Sequence, residues 1–436
     1  MRKTRSRSIA LVAVLSASAL LTSACSSGGS SGSATTAGSS GAKVTLNVNL
    51  FGTFGYKEAG LFDEYQTLHP NITINYTSVE QEGDYWPAFL THLNAGSGVG
   101  DVQGIEVGRI AQATSELGDK FVDLKTTSAK DSIAKFVDWK EKAATTSTGA
   151  VIGLGTDIGP MAICYRTDLL QQAGLPTDPT QLAAKMSTWQ DYLSLGAQYK
   201  AKAPANSAWT DSTGGLYNAI LSQSKEQYYD ASGKLIYDTN PAIKNAWDLS
   251  VKAAQGGLTA KLAQFSDQWN QAFSTGSFAT LACPSWMIGY IKGQAGTTGS
   301  GKWNVAALPG GEGGNWGGSY LAIPKASKHQ AEAADLITWL TAAAQQQKVF
   351  QKVGNFPSNT DAIAAVATVT DPYFTNAPIG KIFGDAAKSA PVQTLGLHDG
   401  DVKTQITNGL TQVEAQGVDP AKAWADVQAA VKSQVG

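Results

Sequence analysis

Residues 44–107 read VTLNVNLFGTFGYKEAGLFDEYQTLHPNITINYTSVEQEGDYWPAFLTHLNAGSGVGDVQGIEV. Val44, Leu46, Val48 and Leu50 alternate with polar residues, the period of a half-buried strand. From Tyr56 to His69 the spacing changes: Leu61, Phe62, Tyr65 and Leu68 share one helical face, and Pro70 stops the run. Ile72, Ile74 and Tyr76 begin a second strand. Asp84–Ala95 then gives a second helix with Trp86, Phe89, Leu90 and Leu93 on its apolar side, and residues 101–107 give a third short strand. Strands alternating with helices across short links predict a parallel sheet covered on both faces, an α/β fold. Ligands of such sheets bind at the carboxyl ends of the strands.

Outward from this stretch, the chain is mostly helical toward its end. Gln330–Val353 carries Leu336, Ile337, Leu340 and Phe350 in one long amphipathic pattern. Asp419-Pro420 reads as a cap with proline at the first helical position, leading into Trp424, Val427 and Val431. About 395 residues follow position 41, too many for one core, so two lobes are expected. No internal repeat is visible.

The first 24 residues read as a secretory signal peptide. Arg2, Lys3, Arg5 and Arg7 precede Ile9–Leu21, an apolar run too short for the ~20 residues of a bilayer span. Leu21-Thr22-Ser23-Ala24-Cys25 resembles a bacterial lipobox, in which Cys25 is lipidated and becomes the mature N-terminus; the alternative is plain cleavage near Ala24. Ser26–Gly41 is nearly all Ser, Gly, Ala and Thr, the composition of a flexible linker. A leash suits a tethered protein better than a free one.

Removing residues 1–24 takes four of the 33 basic residues and no acid, leaving 29 against 35, a net charge near −6. There is no basic run, which argues against nucleic acid. After Cys25 only Cys164 and Cys283 remain, in the apolar runs "MAICYR" and "FATLACPSW" that read as buried strands. They form either a disulfide, which an oxidising compartment favours, or two buried thiols.

Motifs for catalysis fail one by one. "GTTGSGK" (296–302) has P-loop spacing, but Trp303 follows where a magnesium-binding hydroxyl belongs, so it reads as a surface turn. "GGSSG" (28–32) mimics a nucleophile elbow inside the linker. The four histidines lack metal-ligand spacing. Asp399 and Asp401 lack the further oxygen ligands that calcium needs. No cofactor, metal or catalytic residue is expected.

Three later blocks carry a resemblance. Gly153–Pro176, "GLGTDIGPMAICYRTDLLQQAGLP", Phe273–Met287, "FSTGSFATLACPSWM", and the stretch from Lys302 containing "ALPGGEGGNWGGSYLAIP" stand in order behind a lipobox and leash. Together they resemble the family 1 extracellular solute-binding proteins, which deliver sugars to ABC importers; the similarity runs from about residue 44 to the end. The resemblance implies a two-lobed periplasmic-binding-protein-like fold (type II), each lobe a mainly parallel sheet flanked by helices, with a ligand cleft between. It implies lobe 1 at 43–158, lobe 2 at 159–318, a return to lobe 1 at 319–352 and lobe 2 helices at 353–436, behind a signal peptide (1–24) and a lipidated linker (25–42). A monomer on the outer face of the cell membrane, partnered by permease subunits, is implied as well.

A pyranose offers a C–H face for stacking and a rim of hydroxyls that need partners. By family position Trp286 and Trp316 are the expected stacking platforms, and Glu106 and Asp157 the expected acceptors. Phe54 and Tyr56 follow the first strand, and Tyr320 follows a double glycine beside Asn315. Glu80, Gln81, Tyr85 and Trp86 follow the second strand, with one or two of them reaching the cleft. Trp139, Trp189, Trp247, Trp339 and Trp424 sit in helical patterns that mark them as core. The number of aromatics points to a di- or oligosaccharide. A lipid-anchored glycoside hydrolase, or a carbohydrate-binding adhesin, would also need aromatics and carboxylates, and differs in cutting its sugar or in lacking a closing cleft.

Overall fold

The computed structural model describes residues 42–435; the expected signal peptide, Cys25 and nearly all of the linker lie outside the described residues. The first lobe opens with β1 (Val44–Phe51), α1 (Leu61–Leu68), β2 (Ile72–Val79), α2 (Glu82–Ala95), β3 (Val102–Glu106), α3 (Val107–Ser115) and α4 (Asp138–Ala143). The chain then runs through β4 (Leu154–Gly155) and β5 (Asp157–Ile158) into β6 (Met161–Arg166). Further strands are β7 (Ala208–Thr210), β8 (Phe278–Pro284), β9 (Trp303–Ala306), β10 (Ser319–Ala322) and β11 (Phe356–Pro357).

Two sheets result, ordered β2-β1-β3-β10-β4 and β7-β8-β6-β9, with β5 and β11 paired between them. In the first, β1 runs parallel to β2 and β3, while β10 is antiparallel to both β3 and β4. In the second, β7 and β8 are parallel, and β6 is antiparallel to β8 and β9. Each sheet therefore has one common strand direction and a single reversed strand. The reversed strands, β6 and β10, are those the chain enters directly from the opposite sheet. The architecture is a two-lobed α/β fold in which the helices cover both faces of both sheets.

Strand alternation assigns the cores. Met161, Ile163 and Tyr165 of β6 enter one apolar cluster, and Ala162 and Cys164 enter another on the opposite face. On β10, Leu321 faces one cluster and Tyr320 and Ala322 the other. A strand with no exposed face needs mostly apolar residues, and β6 is buried throughout, its one charge, Arg166, paired with Asp168 (2.7 Å).

The helices differ from expectation at two ends. Residues 56–60 form turns, and α1 begins only after Gly60, whose φ of 70° is left-handed. The long pattern 330–353 is two helices, Gln330–Leu340 and Ala343–Val353. Thr341 turns its hydroxyl back onto the Ile337 carbonyl (2.7 Å), and Ala342 is extended. The break lets the second helix serve both lobes: Val349 and Val353 pack on the first sheet's core and Phe350 on the second's. At the last helix, Pro420–Val435, Asp419 accepts from the amides of Ala421 (3.0 Å) and Lys422 (3.1 Å).

Of the tryptophans expected in the core, Trp189 and Trp247 are buried, whereas Trp139, Trp339 and Trp424 are half-buried against core clusters. The fully enclosed ones are Trp209, Trp269 and Trp303.

Cys164 on β6 and Cys283 on β8 lie 5.4 Å apart between Cα atoms and are joined by a disulfide. It closes a loop spanning 119 positions, long enough that cross-linking strongly restricts the unfolded chain. Replacing both with alanine is expected to lower stability by ~2–4 kcal/mol, read as a lower urea midpoint in chemical denaturation.

Candidate ligand-binding site

The two lobes meet where the chain crosses between them. Trp316 donates its amide to the Gly159 carbonyl (2.8 Å), and Asn315 Oδ1 accepts from the Gly159 amide (2.9 Å). A β-carbon at Gly159 would lie 1.9 Å from the Trp316 carbonyl oxygen, so only glycine permits this approach. Gly318, at φ 103°, likewise sits against the Asp157 carbonyl. The glycines are there because two backbones pass in contact.

An aromatic corner stands beside the crossing. Trp286, two residues past the end of β8, donates its indole N–H to the Trp316 carbonyl (3.0 Å). The two rings meet edge to face, with centroids 5.8 Å apart. Phe265 stacks on the far side of Trp286 at 6.4 Å, held by Tyr290 and Trp269. All three of Phe265, Trp286 and Trp316 keep part of their surface exposed. Phe265 has φ 66°, a costly backbone for a bulky residue and an indication of functional constraint.

The polar side comes from strand ends of the first lobe and from the Asp399–Gln416 helix of the second. Gln81 reaches across to the Phe265 carbonyl (3.5 Å), and the negative charge of Glu80 is felt by Tyr290. Glu106, the last residue of β3, caps α3 by accepting the Gly108 amide with Oε2. Burial raises its pKa, opposed by Lys403. The Lys403 ammonium lies 5.9 Å from the Trp316 ring centre. Arg109 of α3 links the lobes, bonded to Glu82 (3.1 Å) and to Asp401 (2.8 Å).

Several expected residues are placed elsewhere. Phe54, Tyr56 and Asp157 line a cavity of about 10 Å³ beneath β5, with room for about one water molecule and none for a sugar. Asp157 accepts from Thr156 Oγ1 (2.7 Å) and the Ser319 amide (3.1 Å), tying β5 to β10. Tyr320 has no exposed surface, and Asn315 spends both side-chain ends on the crossing backbone. The Tyr85 hydroxyl lies within hydrogen-bond distance of Gln103 Oε1 (2.7 Å) and the Gly104 carbonyl (3.0 Å) of β3, and Trp86 donates to Gln112 Oε1 (3.0 Å), so both belong to the first lobe's packing. The turn after β2 aims Glu80 and Gln81 outward; the helical period beginning at Glu82 carries Tyr85 and Trp86 inward. Trp286, Trp316, Glu106, Glu80 and Gln81 remain between the lobes. Phe265 and Lys403, not anticipated, join them; nothing in a single sequence signals a left-handed phenylalanine.

Among the described residues, no group of three or more His, Cys, Asp or Glu is placed to hold a metal ion, and no helix is long and apolar enough to cross a membrane.

Residues 60–376 match the family model of the bacterial extracellular solute-binding proteins. The chain belongs to that family. It is similar to the lactose-binding protein of Rhizobium radiobacter, 26 % identical over 303 residues, or 66 % of this chain and 69 % of that one. A crystal structure of an extracellular solute-binding protein of family 1 is 43 % identical, with TM-score 0.75 over 89 % of this chain and 99 % of the other. The ABC transporter associated binding protein of B. animalis subsp. lactis Bl-04, solved with β-1,6-galactobiose, shares the fold at TM-score 0.76 and 20 % identity, covering 90 % and 97 %. Proteins of this family bind solutes outside the cytoplasm.

A buried cation supports the crossing from below. Lys140 of α4 is 1 % exposed, donates to the Ser319 carbonyl (2.9 Å) and lies 3.9 Å from the Tyr320 ring centre. Burial pushes its pKa down to about 7, with Asp157 and Glu106 pulling it back up. The unfolded chain titrates near 10.4, so between about pH 7 and 10 it holds a proton the folded chain lacks. The contribution of Lys140 therefore makes stability rise with pH across that window. Urea midpoints at pH 7 and 9.5 should show this slope in the wild type and a smaller one in Lys140→Met; equal slopes would mean Lys140 stays charged in the fold.

Proposed function

We propose that this chain is the substrate-binding lipoprotein of a bacterial carbohydrate importer, capturing a di- or oligosaccharide between its lobes and passing it to the permease subunits of an ABC transporter. The observation that carries the reading is the partly exposed corner of Trp286 and Trp316 at the lobe crossing, with Glu106 on the opposite lobe. Flat rings take the C–H face of a pyranose, and carboxylates and amides take its hydroxyls. The sugar partners of the two similar proteins, lactose and β-1,6-galactobiose, are both galactose-containing disaccharides and make the first ligands to try.

In this reading the lobes are 43–158 with 319–352, and 159–318 with 353–436, and they close about the crossing strands when sugar bridges them. The mature protein begins at lipidated Cys25 and stays on the outer face of the membrane as a monomer on its 25–42 leash. Binding without cleavage separates this function from a glycosidase.

A thermal-shift panel containing lactose and β-1,6-galactobiose tests the class, since a ligand that binds only the folded state raises the melting temperature. Trp316→Ala should weaken sugar binding by ~1–3 kcal/mol, roughly ten- to hundredfold by calorimetry, with little change in the melting of the free protein. Trp209→Ala is the contrasting variant: its ring is fully buried, so it should cost ~3–5 kcal/mol of stability. An early-melting Trp316→Ala that binds sugar normally would make that ring core. Small-angle scattering should show a smaller radius of gyration at saturating sugar; an unchanged radius argues against hinge closure.

A further inference from the structure

Asp399 and Asp401, too poor in neighbouring oxygens for calcium, stand in the first turn of the Asp399–Gln416 helix, which faces the first lobe. Its contact there is the start of α3: a β-carbon on Gly400 would meet the Arg109 guanidinium at 2.6 Å, and one on Gly108 would lie 3.9 Å from the Gly400 amide. Two helix N-termini thus converge, each with a partial positive charge, and Glu82, Glu106, Asp399 and Asp401 gather around them. Arg109 satisfies Glu82 and Asp401. Asp399 is different. It is 8 % exposed, its Oδ2 accepts the Gly396 amide (2.9 Å), and its Oδ1 is buried with no partner. Glu106 engages only Oε2 in capping α3. Lys403, one helical turn on from Asp399, offsets the charge of both carboxylates and approaches the Trp316 ring.

We propose that Asp399 is the second lobe's hydroxyl acceptor in the sugar site: its unpartnered Oδ1 and the Oε1 of Glu106, from opposite lobes, take hydroxyls of one sugar ring beside Trp316, with Lys403 as the shared cation. The inference rests on the sugar reading above. An orphaned buried carboxylate oxygen is costly, and a donating hydroxyl removes that cost. Arg109, by holding Asp401, fixes the turn from which Asp399 projects.

The same carboxylate makes binding sensitive to pH. Burial raises the Asp399 pKa to about 7, with the charge of Glu106 adding to the rise and the Gly396 amide and Lys403 opposing it. The other groups around it are Tyr228 and Tyr229 of the second lobe, His398 with Nδ1 3.3 Å from Asp401 Oδ2, and Arg109 with its two acids. A hydroxyl donates to the ionised form, so sugar binds best where Asp399 is charged, and affinity rises from pH 6 to pH 8.

Calorimetry with lactose and β-1,6-galactobiose at pH 6, 7 and 8 tests this. Wild type should bind several-fold more tightly at pH 8 than at pH 6. Asp399→Asn should bind at least tenfold more weakly at pH 8 and lose the pH dependence, with a free-protein melting temperature equal to or above wild type. His398→Gln should keep the dependence, and Lys403→Met, which removes a cation that opposes the raised Asp399 pKa, should move the rise to higher pH. Undiminished binding by Asp399→Asn, or a pH dependence that persists in it, overturns the assignment of Asp399 alone. Binding of neither sugar, nor any other in the panel, by wild type overturns the sugar reading and this inference with it.

Discussion

The contact of two backbones at Gly159 and Trp316 constrains everything around it. A separation that leaves 1.9 Å for a β-carbon forbids any side chain on one partner. It also fixes the carbonyl of the other, which then receives the Trp286 indole N–H. The platform rings are therefore oriented by the crossing itself, and no separate loop needs to order them. Because β6 and β10 leave this crossing into opposite sheets, each enters its sheet reversed. The strands flanking them keep a common direction, so the residues after β2, β3 and β8 collect at the lobe interface.

Beneath the rings the crossing is polar and buried, an expensive arrangement that the structure offsets locally. Lys140 reaches the Ser319 carbonyl and the Tyr320 face, and Asp157 takes the Ser319 amide. A lysine from α4 and a carboxylate from β5 thus hold the same residue of β10 from two sides. An isolated buried charge would be far costlier, and neutralisation of Lys140 near neutral pH is how the site relaxes part of that penalty.

Much of the fold was legible because periodicity and punctuation carry it. The alternation at Val44–Leu50, the stop at Pro70 and the cap at Asp419 each depend on neighbours in sequence. The break after Leu340 was not, since the apolar pattern continues through it and only the packing of Val349 and Phe350 on different cores explains it. At the candidate site, Trp286, Trp316 and Glu106 are the residues that the resemblance singles out and that the fold keeps between the lobes. Tyr85, Trp86, Phe54, Tyr56 and Tyr320 share the residue types of a sugar site, but their burial is set by strands distant in sequence. Asp399 stands out in the sequence only as an incomplete calcium ligand, because its neighbours on the first lobe, at the start of α3, are distant in the chain.

The two halves of the site divide the physical work. The aromatic half is apolar and braced: Phe265 is held by Trp269 and Tyr290, and Trp286 by a hydrogen bond to the Trp316 carbonyl. The carboxylate half is distributed over α3 and the Asp399–Gln416 helix, which belong to different lobes and meet through Arg109. On the proposed hinge motion, opening the lobes would separate those charges and expose them to water, where attraction between them weakens severalfold. Closure on that reading would bring together the buried acids of both lobes, whose repulsion a donor-rich guest or the nearby cations would relieve. A polyol supplies donors to both carboxylates at once while leaving the rings to its apolar face. Under the proposed function, the closed arrangement would gain most from a ligand that is flat and apolar on one side and hydroxylated on its rim, as a sugar ring is.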